Sequence, residues 1–225
     1  MILPTAFASI IIQFLTGLID IYGISLPVGD NFQILKDILK VELGVQTVEL
    51  IFYIWLVFSF HTIQNITLYR YADWFITTPT MLVTLMAYLQ IDANKTSSLW
   101  EFFSTHRTNI THVVALNALM LLLGFLSEVI PKWQLVFVLA GFIPFVWYFY
   151  IIYKKYLQQE KPDVHPVFTR SRIFWYFVIV WGLYGIFALF PYEAKNIGLN
   201  VLDLFSKNAF GIMLVYILAH HVEKN

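Results

Sequence analysis

The chain has 225 residues, of which 59% are hydrophobic, 18% are aromatic and only 12% are charged. Soluble domains carry about 25% charged residues, so this composition argues against an ordinary soluble domain, and the aromatic content excludes intrinsic disorder. The absence of cysteine excludes a disulfide framework and any cysteine-based metal site or nucleophile. Fourteen basic and fourteen acidic residues give a formal net charge of zero, which argues against nucleic-acid binding. What remains is a membrane protein that crosses the bilayer several times.

Seven apolar segments are long enough to cross a bilayer, because a membrane-spanning helix needs about 20 mainly apolar residues. In chain order they are 4–27, 34–60, 66–90, 109–129, 133–157, 170–191 and 198–221. Their connections are short, so the sequence predicts an all-α membrane protein in which residues 1–225 form a single domain, a seven-helix transmembrane bundle. The first residues, Met1 to Pro4, contain no basic side chain, so we expect no cleavable signal peptide.

The basic residues of the connecting segments predict the orientation of the bundle. Seven spans place the termini on opposite sides, and cytoplasmic loops carry an excess of Lys and Arg. With the N-terminus outside and the C-terminus in the cytoplasm, the outer side has two basic residues, Lys132 and Lys195. The inner side then has ten, which are Lys36, Lys40, Lys95, Arg107, Lys154, Lys155, Lys161, Arg170, Arg172 and Lys224. The two basic residues that remain, Arg70 and Lys207, fall inside predicted spans.

The first two spans are unusually polar along one helical face. On each span, four residues are spaced four, three and four apart, which places them within about 60° of one another around the helix. They are Ser9, Gln13, Thr16 and Asp20 on the first span, and Glu42, Gln46, Glu49 and Tyr53 on the second.

Three explanations of these polar stripes are open at the level of sequence. Hydrogen bonds between helices would explain the first stripe, and snorkelling to a helix end would explain Asp20 and Glu42. Two glutamates in one membrane span need water or cations, however, so we also expect a water-filled path between the two helices. Asn208 could face the same path from the seventh span.

The third and seventh spans carry charges in the bilayer core, where a charge is costly and is usually functional or paired. Residues 70–79 read RYADWFITTP, which places Arg70, Asp73 and Thr77 on one helix face. Residues 203–207 read DLFSK, so Asp203 lies one turn before Lys207. On its own, Lys207 fits either a structural ion pair or a lysine that forms a Schiff base with an aldehyde ligand.

The two charged motifs, in this order on seven spans and with Trp181 and Tyr184 on the sixth, resemble the microbial (type 1) rhodopsins, the bacteriorhodopsin-like retinal proteins. The resemblance covers the whole chain. It implies that Lys207 holds all-trans retinal as a protonated Schiff base. It also implies that Asp73 is the primary counterion and proton acceptor and that Asp203 is the second counterion.

The same resemblance implies roles for further residues around the retinal. Arg70 would be the switchable cation on the outer side, and Thr77 would hydrogen-bond Asp73. The retinal would lie between Trp74 and Trp181. The other expected pocket residues are Thr78 along the polyene, Tyr71 and Tyr184 near the counterions, and Met120 and Gly124 beside the ring.

The sequence departs from the proton-pump pattern of this family at two positions. Thr84 stands eleven residues after Asp73, where pumps carry an acidic proton donor, and threonine cannot donate a proton at physiological pH. Gly185 stands where pumps have a proline. The glutamates of the second span resemble those of channelrhodopsins, and the whole set of features resembles the group 1 viral rhodopsins. This resemblance implies a light-gated cation channel in a host cell membrane, with the lipid bilayer and H⁺, Na⁺ or K⁺ as its partners.

Two other functions remain open. The first is an outward proton pump with Asp20 or Glu42 as a substitute donor, and the second is a sensory photoreceptor. We expect neither enzymatic chemistry nor a metal site, and we interpret the adjacent His220 and His221 as a solvated helix end. Relatives often form homo-oligomers, but no interface motif in the sequence decides the oligomeric state of this chain.

Overall fold

A computed structural model describes residues 1–92, 96–159 and 161–222, so Lys95 and Lys224 of the charge count lie outside the described residues. In this part of the chain, helices form seven spans. The first six spans are α1 (Ile2–Ser25), α2 (Gln33–Ser59), α3 (Ile66–Tyr88), α4 (Leu99–Val129), α5 (Gln134–Ile152) and α6 (Arg170–Phe187). The seventh consists of α7 (Tyr192–Asp203), a π-helical turn (Leu204–Asn208) and α8 (Ala209–His220).

The seven predicted spans are confirmed as helices, but several of their ends differ from the prediction. Helix α4 begins at Leu99 rather than at residue 109, because the Ser98 hydroxyl caps it by accepting a 3.1 Å hydrogen bond from the Glu101 amide. The first turns of α4 are polar, so hydropathy alone does not detect them. The seventh span begins at Tyr192 rather than at residue 198, which places Lys195 inside a helix.

The surface of the bundle is largely apolar, whereas many charged and polar side chains lie buried inside it beside an apolar core. Five helical segments are long and apolar enough to cross a membrane: Ile2–Ser25, Asp30–Ser59, Leu99–Val129, Pro131–Leu157 and Tyr192–His220. Polar residues lower the mean hydropathy of α3 and α6, but in α3 they point inward. Phe58 and Ile143 are 85% and 69% exposed, whereas Arg70 is fully buried. Only lipid can cover such a surface favourably, so the chain is an integral, multi-pass membrane protein.

The π-helical turn in the seventh span positions the lysine that the sequence singled out. Ser206, Lys207 and Asn208 are consecutive, and all three side chains are buried. An α-helix of 3.6 residues per turn rotates neighbouring side chains apart, whereas the wider turn presents all three to the interior. The Tyr176 hydroxyl donates a hydrogen bond to the Phe205 carbonyl within this turn.

The segment between α5 and α6 packs across one end of the bundle. The Arg170 guanidinium donates 2.8 Å hydrogen bonds to the carbonyls of Leu89 and Gln159. The His165 and His220 rings are 4.7 Å apart, and Nε2 of His221 lies 2.9 Å from the Val164 carbonyl oxygen. The two histidines lie at the helix end, where His220 is exposed and His221 contacts this segment, so the interpretation as a solvated helix end holds for His220 but not for His221.

We expect the contact around His165 to weaken in acid. Its Nδ1 accepts hydrogen bonds from the Val167 and Phe168 amides at 3.1 and 3.3 Å, which only a deprotonated nitrogen can do. Burial, followed by the nearby His220 and His221, lowers the pKa of His165 below its ordinary value of 6.5. The folded state thus binds fewer protons than the unfolded state, so this stabilisation is present above pH 6.5 and is lost as the pH falls below it.

Amide hydrogen exchange of the α5–α6 segment between pH 8 and pH 5 measures this effect. The wild-type segment should lose protection in acid, after correction for intrinsic exchange. His165→Asn keeps an acceptor but does not titrate, so it should flatten the pH dependence. An equally steep loss in that variant would contradict the assignment to His165.

Candidate functional site

The amino group of Lys207 lies among three carboxylates from three helices. Its nitrogen is 2.6 Å from Oδ2 of Asp73 on α3, 3.7 Å from Oε1 of Glu49 on α2 and 3.8 Å from Oδ1 of Asp203 on α7. None of these four side chains is more than 2% exposed. The sequence predicted Asp73 and Asp203 at this position, but it assigned Glu49 to the ion path.

Arg70 is a second cation buried close to Lys207, and it is held by the same seventh span. Its NH1 group is 3.1 Å from Oδ2 of Asp203, and its Nε donates to the Asn196 side-chain oxygen at 3.3 Å. The guanidinium also donates to the side-chain oxygen of Asn200. The Tyr53 hydroxyl donates to Asp203 at 2.7 Å, so Asp203 links both cations to the second helix.

This cluster contains two cations and three carboxylates. Lys207 and Arg70 cannot balance Glu49, Asp73 and Asp203 when all five groups are charged. Buried charges are stable only when they are paired, so the cluster needs one further proton or cation to be neutral. The cluster is therefore suited to move a proton or to attract a cation.

Two residues of the cluster, Asn196 and Asn200, were not predicted from the sequence, although a signal for them exists. Asn196, Asn200, Asp203 and Lys207 are spaced four, three and four apart, the same helical-face spacing that marks the first two spans. The expected contact between Thr77 and Asp73 is present but involves the backbone. The Thr77 hydroxyl donates to the Asp73 carbonyl at 3.0 Å, and Oδ1 of the Asp73 carboxylate has no partner in the described chain.

A mainly apolar cavity leads from the Lys207 amine towards α5. Its empty space is about 870 Å³, which includes open space at its mouth. Every pocket residue expected from the sequence lines it: Tyr71, Trp74, Thr78, Met120, Gly124, Trp181, Tyr184 and Lys207. A long apolar ligand that ends in an aldehyde, such as retinal, fits a cavity of this lining with an amine at one end.

Two glycines shape the cavity wall. A Cβ atom on Gly124 would lie 2.7 Å from the Tyr71 hydroxyl oxygen, and one on Gly185 would lie 2.5 Å from the ring of Phe142. Both distances are shorter than van der Waals contact. Any larger residue at either position would therefore displace an aromatic ring that borders the cavity.

The polar stripes of the first two helices meet inside the bundle. Nε2 of Gln46 donates to Oδ2 of Asp20 at 2.7 Å, and Nδ2 of Asn208 donates to the Thr16 hydroxyl at 2.5 Å. Closer to the cluster around Arg70, the hydroxyl of Ser9 lies 3.5 Å from the Asn200 carbonyl oxygen. Asp20 and Glu42 are both fully buried, so snorkelling to a helix end was the wrong explanation for them.

Several polar atoms along these stripes have no hydrogen-bond partner in the described chain. They belong to Gln13, Asp20, Glu42, Glu49 and Asn208. Buried polar atoms are almost always satisfied by protein or by ordered water. These unpaired atoms lie between the first, second and seventh spans, where the sequence predicts a water-filled path.

Comparison with known proteins identifies the fold. Residues 5–221 match the family model described as bacteriorhodopsin-like protein. The chain belongs to the bacteriorhodopsin-like family, the microbial rhodopsins. No curated protein matches the chain.

Solved microbial rhodopsins share the architecture of this chain. The viral rhodopsin OLPVRII is 26% identical, with a TM-score of 0.81 over 97% of this chain and 98% of that one. Xanthorhodopsin, a light-driven ion pump with dual chromophore, is 18% identical, with a TM-score of 0.75 over 98% of this chain and 93% of that one. Exiguobacterium sibiricum rhodopsin is 17% identical, with a TM-score of 0.74 over 99% and 97%.

Membership of the microbial rhodopsins explains the geometry of the site. Proteins of this family bind retinal through a lysine Schiff base and act in light-driven ion transport or photoreception. Lys207 is the lysine that lines the cavity of this rhodopsin. The position of a pump's proton donor is occupied by Thr84, as the sequence indicated, and the Thr84 hydroxyl donates to a carboxylate oxygen of Glu42 on the neighbouring helix.

Arg70→Ala should strongly destabilise this rhodopsin. Removing one partner of a buried ion pair leaves the other charge uncompensated and costs about 3–5 kcal/mol. The measurement is the free energy of unfolding of the purified protein in lipid. As a control, Glu193→Ala removes an exposed pair with the N-terminal amine at 2.8 Å, which should cost only about 0–1 kcal/mol. Equal effects of the two substitutions would show that the buried ion pair of Arg70 does not stabilise the folded protein more than an exposed pair does.

Proposed function

We propose that Lys207 binds all-trans retinal as a protonated Schiff base and that the chain is a light-gated cation channel. When bound, retinal supplies the absorption of visible light and an isomerisation that turns the Lys207 N–H. The apolar cavity that ends at Lys207 and the carboxylates around its nitrogen support this role. The similarity to a viral rhodopsin supports a location in a host cell membrane.

The hydrogen bonds of the two aspartates favour Asp73 over Asp203 as the acceptor of the Lys207 proton. Asp203 accepts hydrogen bonds from Tyr53 at 2.7 Å, from Tyr184 at 2.8 Å and from Arg70 at 3.1 Å, and these stabilise its negative charge. The carboxylate of Asp73 accepts only the 2.6 Å bond from Lys207 in the described chain. When that N–H turns, the proton passes to Asp73, and Asp203 stays charged beside Arg70.

The charge of Lys207 then acts as the gate for cations. Two unit charges about 4 Å apart interact by about 4 kcal/mol at an effective dielectric constant of 20. A cation that passes Glu49 lies about this close to the Lys207 nitrogen, because Glu49 is 3.7 Å from it. Transfer of the proton to Asp73 removes that repulsion, but it also neutralises the Asp73 carboxylate 2.6 Å from the Lys207 nitrogen, so the barrier for a cation falls by less than this value.

The observation that carries the channel proposal is the line of buried, partly unpaired polar groups that passes Lys207. On one side of Lys207 it comprises Asp20, Glu42 and Gln46, and on the other it reaches Ser9. Acidic groups along such a line favour cations over anions. The permeant ions would be H⁺, Na⁺ or K⁺.

One contact favours an outward proton pump as the second candidate function. The hydrogen bond from Thr84 to Glu42 places a carboxyl group beside the position where pumps carry their donor. Glu42 could return a proton to the Lys207 nitrogen from that place. Glu42→Gln should then slow the recovery of the pigment after a flash, whereas a channel would chiefly lose conductance.

Voltage clamp of cells that express the protein separates the two candidates. Light-induced current should reverse when the cation gradient is reversed, because a channel conducts passively. Two gradients of opposite sign at constant pH test Na⁺ and K⁺, and two pH gradients at constant salt test H⁺. A current that stays outward at every voltage in all conditions would reject the channel and support the pump.

Lys207→Ala should abolish visible absorption after reconstitution with all-trans retinal, because no amine would remain at the end of the cavity. Lys132→Ala removes an exposed lysine and should leave the spectrum unchanged. Circular dichroism of both variants checks that the helices are retained. A coloured Lys207→Ala pigment would refute the assignment of the retinal site.

A further inference from the structure

The polar contacts between the first, second and seventh spans leave oxygens without donors. The Gln46 amide donates to Oδ2 of Asp20, and the Asn208 amide donates to Thr16, so the N–H groups of both amides already bind neighbouring side chains. Oδ1 of Asp20, Oδ1 of Asn208 and the side-chain oxygen of Gln13 have no partner in the described chain. Each of these residues is at least 98% buried, since their exposures are 0%, 2% and 2%.

The Asp20 carboxylate also lacks a counter-charge. Within the described chain, no Lys or Arg nitrogen lies within 4.0 Å of it. A charged neighbour on the second helix, Glu42, is another acid, and its Oε2 is itself unpartnered in the described chain. A buried carboxylate in this situation needs either a proton or a cation.

Gly211 on the seventh span provides the space that this carboxylate occupies. A Cβ atom on Gly211 would lie 2.7 Å from Oδ2 of Asp20 and 2.9 Å from its Oδ1. Only glycine at this position lets the carboxylate approach the helix backbone so closely. Gly211 lies one turn beyond Asn208, so the free oxygens of Asp20 and Asn208 belong to the same stretch of helix surface.

We propose that Asp20, with the side-chain oxygen of Asn208, binds an alkali cation, Na⁺ or K⁺, in the dark. Carboxylate and amide oxygens are hard ligands, which suit ions of this class and not transition metals. A single central carboxylate matches one positive charge, whereas divalent cations are usually held by several carboxylates or by more oxygens. Gln46, which donates to Asp20, is a positioning residue.

This site deepens the proposed channel function, because it would be the ion's resting place on one side of Lys207. It is nevertheless measurable without light or current. A ligand that binds only the folded state raises the melting temperature as its concentration rises. At about five times the dissociation constant, the expected rise for a chain of this size is about 2–4 °C.

The experiment uses the retinal-reconstituted full chain in lipid nanodiscs, kept in the dark. NaCl or KCl replaces N-methyl-D-glucamine chloride at constant ionic strength, and the melting temperature is recorded. The wild type should be stabilised by the alkali ions, and Asp20→Asn should lose the effect. Asp37→Asn removes an acid that pairs with Lys40 at 3.0 Å and is not part of the proposed cation site, so this variant should respond like the wild type.

A second variant keeps the test valid where Asp20→Asn does not fold. Gly211→Ala retains the carboxylate but displaces it from its place beside the seventh span. At least about ten times more Na⁺ should then be needed for the same rise in melting temperature, which corresponds to a loss of about 1.4 kcal/mol in binding free energy. An unchanged Na⁺ response in either variant would overturn the proposal. A rise produced by CaCl₂ at far lower concentration than by NaCl would overturn the alkali assignment.

The cation site and the channel can fail separately. Alkali stabilisation that depends on Asp20, without any reversing photocurrent, would support the site and reject the channel. A reversing photocurrent without alkali stabilisation would reject the site alone.

Discussion

The positive charge on the Lys207 nitrogen constrains the whole interior of the bundle. Taking such a charge out of water costs several kcal/mol unless carboxylates surround it, so three different helices each contribute one. Glu49, Asp73 and Asp203 all lie within 4 Å of the nitrogen. Asp203 in turn holds Arg70 at 3.1 Å, so Lys207 and Arg70 share one acid. The helices that provide these groups must therefore pack in one arrangement, and the π-helical turn at Lys207 adapts the seventh span to it.

The same charge connects the apolar cavity with the polar interior. On one side of Lys207 lies a mainly apolar cavity bordered by Trp74 and Trp181. On the other side lie the polar residues of the first two helices, among them Gln46 and Asp20. A change in the cavity that alters the charge of the Lys207 nitrogen therefore changes the electrostatic potential among these polar residues. In the proposed function, light acts on the cavity and cations respond among the polar residues.

The sequence was sufficient for the seven helices and for most of the candidate site, because both depend on local spacing. Charges within apolar segments marked Asp73 and Lys207, and helical periodicity placed each beside its neighbours. Spacing along one helix does not determine how that helix is rotated against another, so it did not show that Glu49 faces Lys207. The contact of His165 with His220 depends on a loop folding back across the bundle, which no local pattern encodes. The polar start of α4 was missed because hydropathy reports only the part of a helix that is apolar.

Light-minus-dark infrared difference spectroscopy of the carboxylic acid C=O stretch tests the central claim most directly. If light transfers the Lys207 proton to Asp73, a new band of a protonated carboxylic acid should appear in the wild type during the photocycle. Asp73→Asn should remove that band, while Glu193→Asn, a change at an exposed acid, should leave it intact. A band that persists in Asp73→Asn would show that another group accepts the proton and would contradict the account.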